Sequence, residues 1–269
     1  MMKNLCYLLC AFFVLGLWSC SKPVTPSPPG GGTTSYVLDS MVWKNIPQTT
    51  YFTYRADKLQ DKAVSVYHSL RDTVSFEYNG QQISRIVSSR SRRTSNYAYH
   101  PSGKIASINL SGVGGIGSHY IFEFDYSAAG KLKTLNYFLQ NEAGKKLQYA
   151  CTYAYNTDGL VAAVTFVAPT GSTLTYTVEA YTPECNFNPW AFISPVELTE
   201  GFAIYNLPLL QDMKRLPAKI TKRITGIESI EHVTATVQNN NLDKMISAFE
   251  YPGSPASNFQ YEVNFFYHN

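Results

Sequence analysis

The sequence predicts an all-β fold, a large antiparallel meander sheet that curls toward a half-barrel. The chain has 269 residues, of which 45% are hydrophobic and 14% aromatic, and its 20 Tyr and 15 Phe favour an extensive sheet. From Tyr36 onward, short runs of strand-forming residues alternate with turn signals, and no amphipathic helix of any length occurs before residue 180. A meander of about a dozen or more strands should twist and curl rather than stay flat.

A short repeated motif supports this prediction. Two aromatic residues stand two apart, Gly follows the second by four positions, and aliphatic residues follow the Gly by two and by five. The strict copies are Tyr97, Tyr99, Gly103, Ile105 and Ile108; Phe124, Tyr126, Gly130, Leu132 and Leu135; and Tyr153, Tyr155, Gly159, Val161 and Val164. A looser copy is Phe76, Tyr78, Gly80, Ile83 and Ile86, and a divergent one is Thr234, Thr236, Asn240, Leu242 and Met245.

The motif describes a β-hairpin. Residues two apart lie on one face of a strand, and Gly or Asn enters the left-handed region that a tight turn requires. The two aliphatic residues after the Gly are three apart, which would place them on opposite faces of a regular strand. We therefore expect either a bulge in each returning strand or a sheet that is partly covered on both faces.

These repeats resemble the YD-type repeats of secreted bacterial β proteins. More closely, residues 36–269 resemble uncharacterised lipoproteins of Bacteroidetes whose single domain is described as porin-like. The resemblance implies one porin-like domain of β-hairpin repeats over residues 36–269. It brings no catalytic or binding residue, because that family has no assigned active site.

Residues 1–19 have the composition of a lipoprotein signal peptide. Lys3 supplies the positive end, and the apolar run from Leu5 to Trp18 is too short to span a bilayer. The run ends in Leu17-Trp18-Ser19-Cys20, which resembles a lipobox. We expect acylation of Cys20, by palmitate or a similar chain, since more than one acyl chain gives stable anchoring. A plain secretory signal cleaved near Cys20 is the alternative.

Residues 20–35 are predicted to carry the lipid and a tether. Four Pro and three Gly occur between residues 21 and 35, without an aromatic residue, which is typical of an extended linker. By resemblance to the sorting rules of such lipoproteins, Ser21 directly after Cys20 favours the outer membrane. We expect a lipid-anchored domain that faces the periplasm.

The segment 183–217 interrupts the strand pattern with five Pro in 35 residues. A short helix is predicted from Asn206, a capping residue, through Pro208 in the first turn to residue 216. Five large apolar residues should fold onto one end or face of the sheet as a plug: Phe187, Trp190, Leu209, Met213 and Leu216. A lid over a ligand cleft is the alternative.

Two cysteines, Cys151 and Cys185, remain after Cys20 and the two in the signal. A disulfide between them would stabilise the fold by about 3–4 kcal/mol in the chain-entropy model, and two separate thiols are the alternative. No His or carboxylate stands at ligand spacing from either, so we expect no metal site.

Other candidate motifs have ordinary explanations. The glycines from Gly112 to Gly117 match a dinucleotide-binding pattern, but a strand rather than a helix follows them. Glu123 and Asp125 are predicted on the solvent face of a hairpin. Arginines at 90, 92 and 93 form a basic turn, either solvated or in contact with anionic lipid phosphate. We therefore predict no catalytic residue and no cofactor.

The sequence thus favours a non-catalytic binding or scaffolding lipoprotein. Its expected partners are membrane lipid through Cys20 and a glycan, lipid or envelope protein, whereas a net charge of +3 gives no indication of nucleic acid. The candidate contact surface is Phe187, Trp190, Tyr153 and Tyr155. A carbohydrate-active hydrolase and a membrane-spanning β-barrel are the alternatives.

Overall fold

The chain forms a closed barrel of 16 antiparallel strands in which consecutive strands pair and β1 pairs with β16. The structure is a computed structural model that describes residues 37–112, 117–187, 208–211 and 213–268, so the predicted signal, Cys20 and the whole predicted tether lie outside the described residues. The all-β meander is confirmed, and the pairing of β1 with β16 carries the expected curl to full closure.

The strands are 6 to 12 residues long. In chain order they are β1 Val37–Trp43, β2 Gln48–Tyr54, β3 Gln60–Tyr67, β4 Leu70–Asn79, β5 Gln82–Ser88, β6 Thr94–Tyr99, β7 Ile105–Ser111, β8 His119–Tyr126, β9 Leu132–Asn141, β10 Gly144–Tyr155, β11 Val161–Val167, β12 Thr173–Tyr181, β13 Pro217–Ile224, β14 Ile227–Gln238, β15 Asn241–Glu250 and β16 Phe259–His268.

Helical structure is sparse in the described part of the chain. The predicted helix of the 183–217 insertion is a single turn, α1, at Pro208–Gln211, and a 3₁₀ turn occupies Pro255–Ser257. Asn206, the predicted cap, lies outside the described residues. None of the described helices has the length and apolar character that a membrane crossing needs.

Bulges resolve the odd spacing of the repeat. Tyr153 pairs with Val164 and Tyr155 pairs with Val161, and the register shifts between Ala154 and Tyr155. Both valines are therefore buried on the inner face, as the first of the two expected alternatives requires. The same shift precedes the corresponding residue of five other hairpins: Tyr54, Tyr78, Tyr99, Tyr126 and Val237. In the divergent copy the register therefore places Val237, not the predicted Thr236, at the second position of the motif.

The predicted turn chemistry is also confirmed. Gly103, Gly130 and Gly159 have φ values of 81°, 76° and 75°. Asn240, which replaces Gly in the divergent copy, has a φ of 63°. Each repeat therefore turns through the left-handed conformation that Gly and Asn adopt most readily.

The two ends of the barrel differ. The insertion end is where β1 begins and β16 ends, and it carries the 183–217 insertion and the repeated tight turns. The distal end carries the eight connections that join odd-numbered strands to the even-numbered strands after them, from β1/β2 to β15/β16.

A girdle of seven tyrosines secures the insertion end. Each hydroxyl donates to a backbone carbonyl at the start of the preceding strand: Tyr54 to Leu38, Tyr78 to Gln60, Tyr99 to Ile83, Tyr126 to Ile105, Tyr155 to Leu132, Tyr181 to Val161 and Tyr267 to Leu242. On β5 and β6 the last register pair at this end is Arg85–Asn96, so Ile83 lies two residues beyond the ladder. The hydroxyl replaces a ladder hydrogen bond that the stagger of the strands cannot supply.

Replacing Tyr99 by Phe should lower the free energy of unfolding by about 1 kcal/mol, since the Ile83 carbonyl loses its 2.7 Å hydrogen bond. Burial raises the pKa of Tyr99 from 10.0 to about 12. The folded-state pKa lies above the unfolded value, so the stabilisation is complete below pH 10 and is lost as the pH rises toward about 12. Urea unfolding at neutral and at alkaline pH measures both effects.

Tyr51→Phe is the matched control, because Tyr51 is 50% exposed on the outer wall and makes no side-chain hydrogen bond within the described residues. At both pH values its free energy of unfolding should equal that of the wild-type protein. Equal stability of Tyr99→Phe and Tyr51→Phe would contradict the structural role of the girdle.

Candidate functional site

The described part of the insertion covers the insertion end. Leu209 and Leu216 are buried in the barrel core, and Phe187 and Met213 pack against that core. Four of the five predicted plug residues thus fold onto the barrel as expected. The fifth, Trp190, lies outside the described residues.

Backbone hydrogen bonds hold this segment in place. The Thr182 amide donates to the Leu216 carbonyl at 2.8 Å, and the Leu216 amide donates to Thr182 Oγ1 at 3.0 Å. Further along, Asn186 donates to the Asn240 carbonyl at 2.6 Å and accepts from the Leu242 amide at 2.9 Å. The segment therefore adds a short parallel bridge to the β14/β15 turn, as a fixed plug would.

Cys151 and Cys185 are separate, buried thiols. Cys151 lies on the inner face of β10 between its register partners Leu135 and Phe166, whereas Cys185 belongs to the insertion. Burial raises the pKa of the Cys185 thiol to about 11. The structure therefore has the second of the two predicted alternatives, not the disulfide.

The distal end is apolar and accessible. Of nine exposed large hydrophobic side chains in the described residues, seven lie there: Ile46, Tyr67, Leu70, Val167, Ile224, Ile227 and Phe259. Three register pairs that face inward reach the rim: Tyr67–Leu70, Ile224–Ile227 and Phe249–Phe259. Their exposed members show that the inner wall meets solvent at this end.

An aromatic cluster lines the inner wall below this rim. Trp43 and Tyr261 are 5.3 Å apart between ring centroids, Phe249 lies 5.7 Å from Tyr261, and Phe249 stacks on Phe259 at 4.5 Å. Trp43 Nε1 is buried and donates no hydrogen bond within the described structure. The cluster offers apolar faces and one indole donor, which suits a ligand that is largely apolar with few polar groups.

Two charged side chains also point inward beside this cluster. Glu231, 5% exposed, accepts a hydrogen bond of 2.9 Å from the buried Ser247 hydroxyl. Lys222 pairs in register with the buried Tyr176 and places Nζ 5.3 Å from the centre of its ring. These charges lie on β13 and β14, directly after the insertion.

The predicted contact surface needs correction. Tyr153 is buried, and Tyr155 donates its hydroxyl to the Leu132 carbonyl, so both belong to the barrel wall. Burial raises the pKa of Tyr153 well above its ordinary value. Phe187 packs against the core from the insertion. The aromatic spacing of the repeat therefore marks the inner face of the strands.

No group of three or more His, Cys, Asp or Glu side chains in the described residues could hold a metal ion. Glu123 lies on the outer face of β8, opposite in direction to Phe122 and Phe124, and binds Lys145. As predicted, a strand rather than a helix follows the glycine-rich segment, since β8 begins at His119; residues 113–116 lie outside the described residues.

Charged side chains cover the outer wall. Cross-strand ion pairs join Arg85 to Glu77 at 3.3 Å and Arg223 to Glu228 at 2.7 Å. Hydrogen bonds from Lys219 and then Thr221 lower the pKa of the Glu179 carboxyl. Inside and outside therefore differ in polarity, with a largely apolar core and a polar outer face.

No family model matches the chain, and no curated protein does. Among solved structures, a porin-like protein from Bacteroides uniformis ATCC 8492 has a TM-score of 0.57 at 16% identity, over 88% of this chain and 98% of that chain. A porin-like protein from Bacteroides vulgatus ATCC 8482 has a TM-score of 0.57 at 12% identity, over 86% and 98%. At these identities the likeness establishes a shared porin-like β-barrel fold.

Sequence reasoning missed the residues near the distal rim. Trp43, Phe249 and Phe259 lie outside the strict repeats, and their convergence depends on the pairing of β16 with β1. Lys222 and Glu231 interrupt apolar alternation in β13 and β14, which was a signal available in the sequence. Their inward direction follows only from the register.

Replacing Leu216, which is 0% exposed, by Ala should lower the free energy of unfolding by about 2–5 kcal/mol if the insertion is a fixed plug. Thermal or urea unfolding measures the change. Leu70→Ala is the control, because Leu70 is 43% exposed, and its change should stay within about 0.5 kcal/mol. A wild-type melt for Leu216→Ala would instead favour a loosely held lid.

Proposed function

We propose that this chain is a lipid-anchored protein of the bacterial envelope whose barrel stands outside the bilayer and binds a ligand without catalysing a reaction. The polarity of the wall carries the proposal. Its inner face is largely apolar, its outer face is charged, and its apolar inner residues meet solvent at the distal end. A binding barrel needs this arrangement, because its ligand displaces water from an apolar interior.

The outer wall argues against a membrane-spanning role. A spanning barrel faces lipid with an apolar band and encloses a polar interior. Here Arg71, Glu77 and Arg85 lie on the outer faces of β4 and β5, opposite to the buried Phe76 and Ile86. Each Arg or Lys at the midplane of a lipid-facing wall would cost about 2–4 kcal/mol.

The arrangement of acids favours binding over hydrolysis. The neighbouring carboxylates of Glu123 and Asp125 lie on the outer wall rather than in a cavity that excludes water. Glycoside hydrolysis needs two carboxyl groups facing one sugar ring. On the inner wall, Glu231 instead lies beside aromatic rings and the Ser247 hydroxyl, a surface suited to an amphipathic ligand or a glycan.

The anchor rests on the sequence. Cys20 follows a lipobox-like ending, and the chain enters the barrel through β1 at the insertion end. A tethered binding barrel in the envelope also fits the porin-like fold found in Bacteroides proteins. In this arrangement the bilayer holds the acyl chains, and the barrel remains in the aqueous compartment.

Replacing Cys20 by Ala should move the protein from the detergent phase to the aqueous phase of a detergent partition, because its acyl chains are lost. Labelled palmitate should be incorporated only into the wild-type protein. A wild-type protein that already partitions into the aqueous phase would contradict the anchor.

The chain from Ser21 onward contains every strand of the closed barrel. Expressed without the signal, it should remain monodisperse in detergent-free buffer, because its outer wall is charged. Size-exclusion chromatography with circular dichroism measures this. A requirement for detergent, together with stepwise conductance in planar bilayers, would support the spanning alternative.

A further inference from the structure

We propose that the distal end of the barrel docks on an anionic lipid surface, in addition to the lipid anchor proposed at Cys20. The contact would be made by an apolar arc and an adjacent arginine turn. The arc consists of the exposed side chains Ile46, Tyr67, Leu70, Ile224, Ile227 and Phe259. The arginine turn joins β5 to β6 and carries Arg90, Arg92 and Arg93.

The arc is continuous in the barrel. Its residues belong to the hairpins β13/β14, β15/β16, β1/β2 and β3/β4, which follow one another because β16 pairs with β1. The arc therefore spans half of the 16 strands. Ile227 is 65% exposed and Phe259 50%, well above the exposure of core positions in the same strands.

The arginine turn lies directly beside the arc. Strand β5 pairs with β4, and the Arg90 amide donates to Asp72 Oδ1 of β4 at 3.0 Å. The Ser88 hydroxyl donates to the same carboxylate, so Asp72 fixes the turn next to the Leu70 rim. The guanidinium groups of Arg90, Arg92 and Arg93 form no ion pair with a carboxylate in the described structure.

A lipid surface suits this combination better than a water-soluble ligand does. Apolar side chains at turn tips enter the boundary between headgroups and acyl chains, while neighbouring arginines bind phosphate groups. The eight distal connections together hold four cations, Lys44, Arg90, Arg92 and Arg93, against one carboxylate, Glu142. Lys44 pairs with Glu262 of β16 at 2.5 Å, so the three arginines carry the excess positive charge. Their charge therefore favours anionic over zwitterionic lipid.

The proposed anchor permits this orientation. Cys20 and Val37 are 17 positions apart, and a chain of that length reaches at most about 60 Å. A fully extended strand of ten residues spans only about 34 Å. A protein held by Cys20 can therefore bring its distal end to the membrane that anchors it.

The chain from Ser21 onward tests the proposal, because it retains every strand and lacks the acylated residue. We expect it to cosediment with phosphatidylcholine–phosphatidylglycerol vesicles and to be released by high salt, with little binding to pure phosphatidylcholine. The absence of binding to anionic vesicles would overturn the proposal. Cosedimentation with vesicles requires neither acylation nor a bound ligand. The experiment therefore tests lipid docking separately from the proposed function.

Variants locate the contact. The triple variant Leu70→Ser, Ile227→Ser and Phe259→Ser should weaken vesicle binding about tenfold or more, since each side chain is exposed and each loses its apolar contact with lipid. Arg90→Gln with Arg93→Gln should remove the preference for anionic vesicles. Arg92 is left unchanged, because its φ of 54° makes substitution there a test of the backbone as well. Binding at the wild-type level in the triple variant would overturn the proposal.

Tyr51→Ser is the matched control, because it removes an aromatic ring that is 50% exposed on the outer wall rather than at the rim. It should bind anionic vesicles as the unmodified chain does. Loss of binding in this variant, with the rim variants unaffected, would place the contact on the wall and refute docking through the distal end. Circular dichroism melts confirm that each variant keeps the barrel.

Discussion

Hydrogen bonds from tyrosine hydroxyls to backbone carbonyls stabilise the insertion end of the barrel. The need for these bonds explains why the sequence motif repeats a tyrosine. Neighbouring strands are staggered there, so a carbonyl at the start of an odd-numbered strand lies beyond the last register pair. A buried carbonyl without a partner is costly, and a side chain must supply the missing donor. The first aromatic position accepts Phe76 or Tyr97, but the second is Tyr in every copy that makes the bond. The bulge before that Tyr lets it reach the carbonyl while the returning aliphatic residues still face inward.

The same closure determines what the barrel can do. The repeat places aromatic and aliphatic side chains inside, which leaves the alternate positions for charge on the outer wall. The porin-like structures share the fold, but one fold can carry many functions. The proposal that this barrel stands in water therefore rests on the polarity of its wall. The insertion covers one end, so accessible apolar surface is concentrated at the other end. The proposal of binding at the rim rests on this geometry and not on a catalytic motif.

The sequence predicted local structure well because hairpins are local. Gly103 and Asn240 indicate where their turns lie, and the odd spacing of Val161 and Val164 required a bulge or a covered face. Closure depends on the pairing of β1 with β16, which joins the two ends of the described chain without any turn between them. Alternation in one strand also cannot distinguish the inside of a barrel from its outside. Tyr153 was therefore interpreted as a contact residue although it is buried.

The departures from the repeat gather in one sector. Strand β14 has Val237 where the other hairpins have the bonding tyrosine, the insertion precedes β13, and Lys222 and Glu231 carry charge to the inner wall of these strands. Among the described residues, no tyrosine hydroxyl of the girdle donates to β13, and the hydrogen bonds between Thr182 and Leu216 hold the chain directly before that strand. A buried charged group contributes little net stability compared with a packed apolar residue. Stability alone therefore does not account for Lys222 and Glu231, and their place beside the aromatic cluster links the divergent sector to the proposed ligand-binding surface of the inner wall.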